Sequence, residues 1–546
     1  MKRFLLEIAG FLGCICFCGC NSGSDSTSVY SLSKEQAAIS VSTDDFIYAS
    51  TDEIIIPAEK AGKHAYLITY NNAYPESNKE ISTGNSIDAR NSISLGNNEE
   101  TNGIINIEKK YSLKNLNSNN YPLAKKVSRG INSSTEPNYD ACPINGTVNL
   151  YVTEYPDTVE ENGDWKDSGW KTRTAVKKCE GSFCNIWYIE DTSKSFISLT
   201  DSNFSSLAEK FDTIFQKEKG IFGTNIPDIE YRNTISKNAC LRKVNILVYD
   251  IGLDAKEDQT GGTFGYFHDK DFFERTSSYG DFTCGFSNLG EFIYVDSYFL
   301  SKYPEQIYST LAHEFQHLLF YVNKWLNNGV KTITWNTEMM SMLAEEILQN
   351  DLGISDKDSP KHRLAYFKIG SQFGFTDKAW NTFDDGSYEY ANTYAFGSFL
   401  LHNYGVSYIK KLVSNSYSGT AMITNSLPAG ETFDTMLYKF GKSYIDGYYP
   451  EINETNFNIP AIYLLDSKWT YSEDDIKKIF KNDGSLFASY NPLIISADHY
   501  IYPLFPQGFY VVDIGVIGED GAVFSGLKHS DSNVFRFIYL KEVSNE

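Results

Sequence analysis

The stretch His313-Glu314-Phe315-Gln316-His317 constrains this chain more than any other, because two imidazoles four positions apart reach one point only from a helix. Its surroundings favour that helix. Tyr303-Pro304-Glu305 offers a proline suited to a first helical position and an early acid at the positive end of the helix dipole. Leu311, Phe315, Leu318 and Val322 recur at helical spacing on the side away from the two rings. The pattern predicts an apolar side set into a core, with both histidines facing a cleft. Paired imidazoles at this spacing are the usual start of a catalytic zinc site, and the intervening glutamate stands where a general base would. With eight histidines in 546 residues, a chance occurrence is rare.

A metal held by two histidines needs a third protein ligand. After twenty intervening residues, Trp335 to Glu346 reads as a second helix, with Met339, Met340, Leu343 and Ile347 on its apolar side and Glu338, Ser341 and Glu345 together on another. An antiparallel pair of helices joined through Asn327-Asn328-Gly329 would carry Glu338 to the histidines and complete a His2Glu set around one zinc ion. Ser341 or Glu345 would then orient a ligand from behind. The competing reading is that acids on a helix simply face solvent.

These residues bring the chain close to a known group. It resembles the gluzincin metallopeptidases and, within them, the hyicolysin family, peptidase family M30. The resemblance rests on the two helices, on Val244 to Ile251, on the turn Gly261 to Phe267 and on Glu291 to Asp296 before the motif, and it spans roughly residues 170 to 415. It implies an α+β fold: a zincin-type catalytic domain with a twisted sheet, the motif helix and a helical lower subdomain, flanked by small β modules. Gluzincins of the thermolysin type place an aspartate four residues after the glutamate ligand to support the first histidine; here that position is Met342. Related metallopeptidases also use a tyrosine or histidine to hydrogen-bond the oxyanion. A third helix, Tyr388 to Tyr404 with Gly405 placed to stop it, offers Tyr394 first, then Tyr390 and His402.

The mechanism that follows is zinc-assisted peptide hydrolysis of a peptide or protein substrate. His313, His317 and Glu338 hold the metal, Glu314 moves the proton from water to the leaving amine, and Tyr394 steadies the oxyanion. The alternative is a binding or adhesin lipoprotein on a peptidase scaffold that no longer turns over.

The beginning of the chain bears on where this happens. Lys2 and Arg3 precede an apolar run from Phe4 to Phe17, and Cys18-Gly19-Cys20 follows, resembling a bacterial lipoprotein signal. Residues 1–19 read as the signal peptide, Cys20 as the lipidation site and 20–40 as a tether, making an exported lipoprotein anchored at the cell envelope or surface. Of nine cysteines, Cys142, Cys179, Cys184, Cys240 and Cys284 lie beyond residue 20. Cys179 and Cys184 flank a hairpin-like turn that a disulfide would close, Cys240 with Cys284 is a second pairing, and Cys142 is left as a buried thiol. A formal charge of −22 repels phosphate and argues against nucleic acid as a partner.

The remaining organisation is strand-rich. Residues 41–135 read as an N-terminal β module with long polar loops, 136–450 as the metallopeptidase domain, and 451–546 as a C-terminal β-rich module.

Overall fold

The computed structural model describes residues 46–49, 54–71, 105–106, 142–154, 169–225, 239–259, 261–273, 275, 283–375, 387–446, 494–496, 505, 507–524 and 534–543. The signal peptide, Cys20 and the tether lie outside these residues. No helix among the described residues is long and apolar enough to cross a membrane.

Side-chain alternation builds the sheet behind the motif helix. Its strands run Gly265–Phe267, Phe292–Asp296, Val244–Tyr249, Cys184–Tyr188, Trp170–Glu180 and Thr147–Thr153 from one edge to the other. The inner three are mutually parallel, and the outer strands join antiparallel. Val244, Ile246 and Val248 enter the core shared with the helices, while Leu247 and Tyr249 enter a second apolar cluster on the opposite face. Burial on both faces explains why these strands read as continuous apolar runs.

The crossover between the parallel strands Cys184–Tyr188 and Val244–Tyr249 contains the helix Asp201–Phe222. Its Phe211 and Phe215 rings pack on Phe315 of the motif helix at centroid distances of 5.0 and 5.4 Å. On the other side, Asp296 ends its strand by accepting hydrogen bonds from the Tyr298 and Phe299 N–H groups at 2.8 and 3.0 Å. That cap starts the short helix Ser297–Lys302, which leads directly into the motif helix, Pro304–Tyr321. The motif helix is therefore held between a helix and a strand.

The motif helix ends in a π-helical turn, Val322–Leu326, before the chain reverses into the second helix, Thr334–Leu352. The third helix, Ser387–Tyr404, runs alongside the second, and Gly405 at φ 80° terminates it. A Cβ on Gly397 would come within 2.6 Å of Met339 Cγ, so the close approach of these two helices needs a glycine there. These elements form a mixed α+β architecture, as the M30 resemblance implies.

Strands of the two flanking segments, which read in the sequence as separate modules, lie in one five-stranded sheet. Phe46–Ala49 pairs with Val534–Lys541, which pairs with His64–Asn71, and this with Phe509–Val516. Tyr70, Phe509 and Phe537 from this sheet join the helical core. Phe509 meets Tyr444 and Phe440 at 5.1 and 5.6 Å.

The Cys179–Cys184 disulfide is not formed; both are free thiols. The hairpin register shifts between Lys177 and Cys179, which sets Cys179 opposite Ile186 and only diagonal to Cys184. The turn closes by other means. Gly181 N–H donates to Cys184 O at 3.0 Å, and the Asp212 carboxylate accepts from the Ser182 and Phe183 N–H groups at 2.7 and 2.9 Å. Cys142 is buried and lies beside Cys240, so the structure places near it the cysteine that the sequence assigned to Cys284.

Candidate metal centre

Three side chains from two antiparallel helices converge. The ligand atoms of His313, His317 and Glu338 all lie within 4.8 Å of one another. Glu338 Oε2 is 3.1 Å from His313 Nε2 and 3.6 Å from His317 Nε2. This is the only such group of three or more metal-capable side chains among the described residues.

The other nitrogen of each ring is held from behind. His313 Nδ1 is 2.8 Å from Glu345 Oε1, and the second oxygen of that carboxylate accepts from Ser309 Oγ at 2.5 Å. His317 Nδ1 is 3.0 Å from Ser341 Oγ, whose own proton goes to Gln316 Oε1 at 2.7 Å. A hydroxyl that has donated its proton accepts at His317, so Nδ1 carries the ring hydrogen there, as it does against the carboxylate at His313. Each neutral ring then turns its Nε2 lone pair toward Glu338. The two tautomers fit a common cation.

Glu338 supplies the charge. Burial alone would raise its carboxyl, but in the metal-free site the attraction and hydrogen bonds of the His317 and His313 rings in their protonated form outweigh burial and hold it well below the ordinary carboxylate range. A paired imidazole set with one anionic oxygen is the donor chemistry of a catalytic zinc with a position left for water. Met342, at the position of the thermolysin-type aspartate, is fully buried in the core. Glu345, three residues further along the same face, reaches His313 in its place.

Glu314 lies between the rings in sequence and against the sheet in space. Its Oε2 accepts from the Phe267 N–H at 2.7 Å. Gly265–Phe267 is the edge strand of the six-stranded sheet, so the carboxylate sits over a strand with one side open to further pairing among the described residues. A Cβ on Gly265 would lie 2.7 Å from Tyr294 O and 2.9 Å from Thr310 Cγ2. Only glycine lets the strand come this near the helix.

The candidates on the third helix have separate surroundings. His402 Nε2 is 2.6 Å from Glu346 Oε1, both groups being buried. Tyr390 carries the Arg363 guanidinium over its ring at 4.8 Å. Tyr394 is fully buried. Gly397 faces Met339 and His402 pairs with Glu346, so the second and third helices run side by side in the same direction.

Several partners were missed in the sequence: Ser309, Gln316, the Phe267 N–H and Glu218. Ser309 lies one turn before His313, a spacing that periodicity makes available but does not single out. Glu218, on the Asp201–Phe222 helix, is fully buried. Burial raises its carboxyl well above the usual range, His313 opposing and Glu345 reinforcing the shift. A charged residue on the apolar side of its helix was the available signal.

Comparison with known proteins identifies the family. A family model described as Peptidase M30 matches residues 168–468. The neutral metalloprotease ShpI of Staphylococcus hyicus is 30% identical over 246 residues, covering 42% of this chain and 47% of that protein. The chain thus spans about half the length of that relative.

Proposed function

The chain belongs to the peptidase M30 family, and from that premise we propose that it is a zinc-dependent endopeptidase. The observation that carries this reading is the meeting of His313, His317 and Glu338 within 4.8 Å, with each ring fixed from behind in the tautomer a metal requires. These three residues would hold one zinc ion. When bound, zinc supplies Lewis acidity that lowers the pKa of water to about 7.

The chain's own groups do the rest. Glu314 serves as general base and then as acid, taking a proton from water and giving it to the departing amine. The Phe267 N–H holds that carboxylate in place beforehand, so little reorganisation is needed when substrate arrives. An extended peptide laid along the edge strand Gly265–Phe267 would extend the sheet by main-chain hydrogen bonds and run past Glu314. Tyr394 is kept as the oxyanion donor on the resemblance to related metallopeptidases, its side chain lying fully buried in the helical core. Ser341 and Glu345 orient the rings. The signal-like segment before Cys20 supports an exported, lipid-anchored form of this enzyme at a bacterial cell envelope or surface.

The test is a metal analysis joined to a digest of unfolded casein on one preparation. The expected result is one zinc per chain and cleavage that a chelator stops. A chain that carries its zinc and leaves casein intact overturns the enzymatic reading in favour of a binding protein.

A further inference from the structure

Cys142 and Cys240 are neighbours that the sequence did not pair. Cys142 leads into the outermost strand, Thr147–Thr153, and Cys240 lies in the turn Ala239–Leu241 before the inner strand Val244–Tyr249. Both belong to the apolar cluster on the sheet face away from the motif helix, Cys142 within it and Cys240 packed against it, and the Cys240 thiol is near enough to help raise that of Cys142. We infer that these two cysteines close a disulfide when the chain meets a disulfide oxidant, tying one edge of the six-stranded sheet to the lead into its centre.

The backbone already holds both residues in place. Lys177 Nζ donates to Cys142 O at 3.0 Å, and Asn185 Nδ2 donates to Cys240 O at 3.0 Å. Lys177 and Asn185 sit on paired strands of the same hairpin. A disulfide needs an S–S length of about 2.05 Å, and the anchored backbones keep the two neighbouring thiols side by side for it. Cys179 and Cys184 lack this arrangement, being diagonal across a register shift. The bond would close a loop on the order of a hundred residues, the regime in which a crosslink most restricts the unfolded chain.

The chemistry needs an external electron acceptor, and a small-molecule disulfide such as glutathione disulfide serves. Cys240 is the more accessible thiol and reacts first. Its thiolate attacks one sulfur of glutathione disulfide, forming a mixed disulfide and releasing one glutathione thiolate. Cys142 then gives up its proton and attacks the Cys240 sulfur, the new S–S bond forms, and the second glutathione leaves. Two protein thiols lose two electrons, one glutathione disulfide gains them, and the two protons end on the two glutathiones. Burial, helped by the neighbouring Cys240 thiol, pushes the Cys142 thiol up to about 11, so this second step is slow near neutral pH and speeds up as pH rises.

The inference is independent of the peptidase reading. The full chain is equilibrated with glutathione disulfide, remaining thiols are blocked with N-ethylmaleimide, and the unreduced digest is mapped by mass spectrometry. The expected product is a peptide pair joined through Cys142 and Cys240, absent from Cys240→Ala. Reduction should then lower the melting temperature of the wild-type chain by roughly 5 °C. Maleimide on both residues, a persistent glutathione adduct on either, or a link from either to Cys179, Cys184 or Cys284 overturns the inference. The wild-type map decides the matter even if the variant fails to fold.

Discussion

The two histidines of the motif are one helical turn apart and are supported in different ways. His313 is almost wholly buried and leans on a carboxylate, Glu345, itself held by Ser309. His317 is 16% exposed and leans on a hydroxyl, Ser341, that passes its proton to Gln316. A hydrogen bond to a carboxylate is about twice as strong as one between neutral groups and makes the ring a better donor to a metal. The hydroxyl chiefly fixes orientation. The difference teaches that the site has a rigid, charge-supported inner ligand and a softer outer one at the mouth of the cleft.

Removing each ring is the strongest way to break this comparison. Both His313→Ala and His317→Ala should lose bound zinc and nearly all proteolysis. Only His313→Ala should also lose folding stability, by about 3 kcal/mol, because it leaves Glu345 buried without its ring partner. Metal content and urea unfolding of the metal-free proteins check this. Equal stability losses would erase the distinction between inner and outer ligands.

The supports themselves give the next largest effect. Glu345→Gln should weaken zinc binding by about 10- to 100-fold. Ser341→Ala should weaken it by about 10-fold or less, since the hydroxyl contributes no charge. Competition against a chromophoric chelator measures both. A larger loss from Ser341→Ala would place the decisive support at the outer ring.

A further substitution leaves both rings and their supports in place and tests the base. Gly265→Ala should push the edge strand off the motif helix and loosen the Phe267 N–H from Glu314. The expected outcome is a kcat lower by about 10-fold with zinc affinity unchanged. A matching fall in zinc affinity would mean that the strand supports the ligands as well as the base.

How much of this was legible follows from what periodicity encodes. Spacing told which residues share a helix face, so His313 and His317 fell together, as did Glu338, Ser341 and Glu345. Pro304 and Gly405 marked helix ends because each has a backbone preference that shows in one residue. Spacing does not say which face meets which. Ser309 and Gln316 find partners on another helix, and the Phe267 N–H belongs to no side chain at all. The helix Asp201–Phe222 begins three residues before its apolar pattern, at a cap where Asn203 Oδ1 accepts from the Thr200 N–H at 2.9 Å. The shared sheet was the furthest from view, since Phe46 pairs with Tyr539 across nearly the whole chain and local alternation is silent about partners.

Glu218 supplies the smallest effect and the finest test of the inner side. It is fully buried behind His313 and Glu345, and among the described residues neither of its oxygens has a hydrogen-bond partner. Burial, with Glu345 adding to it and His313 opposing it, raises its carboxyl, so the folded chain keeps the proton where the unfolded chain has released it. The unfolded state then binds fewer protons above its own pKa of about 4.5, and stability falls as pH rises from there. Glu218→Gln keeps the shape without the titrating proton. At pH 8 it should be more stable than the wild type by on the order of 1 kcal/mol, and at pH 4 the gap should close. Urea unfolding at the two pH values reads the difference. If the gap is the same at both, Glu218 is not held neutral, and the negative charge on the inner side extends one residue deeper than Glu345.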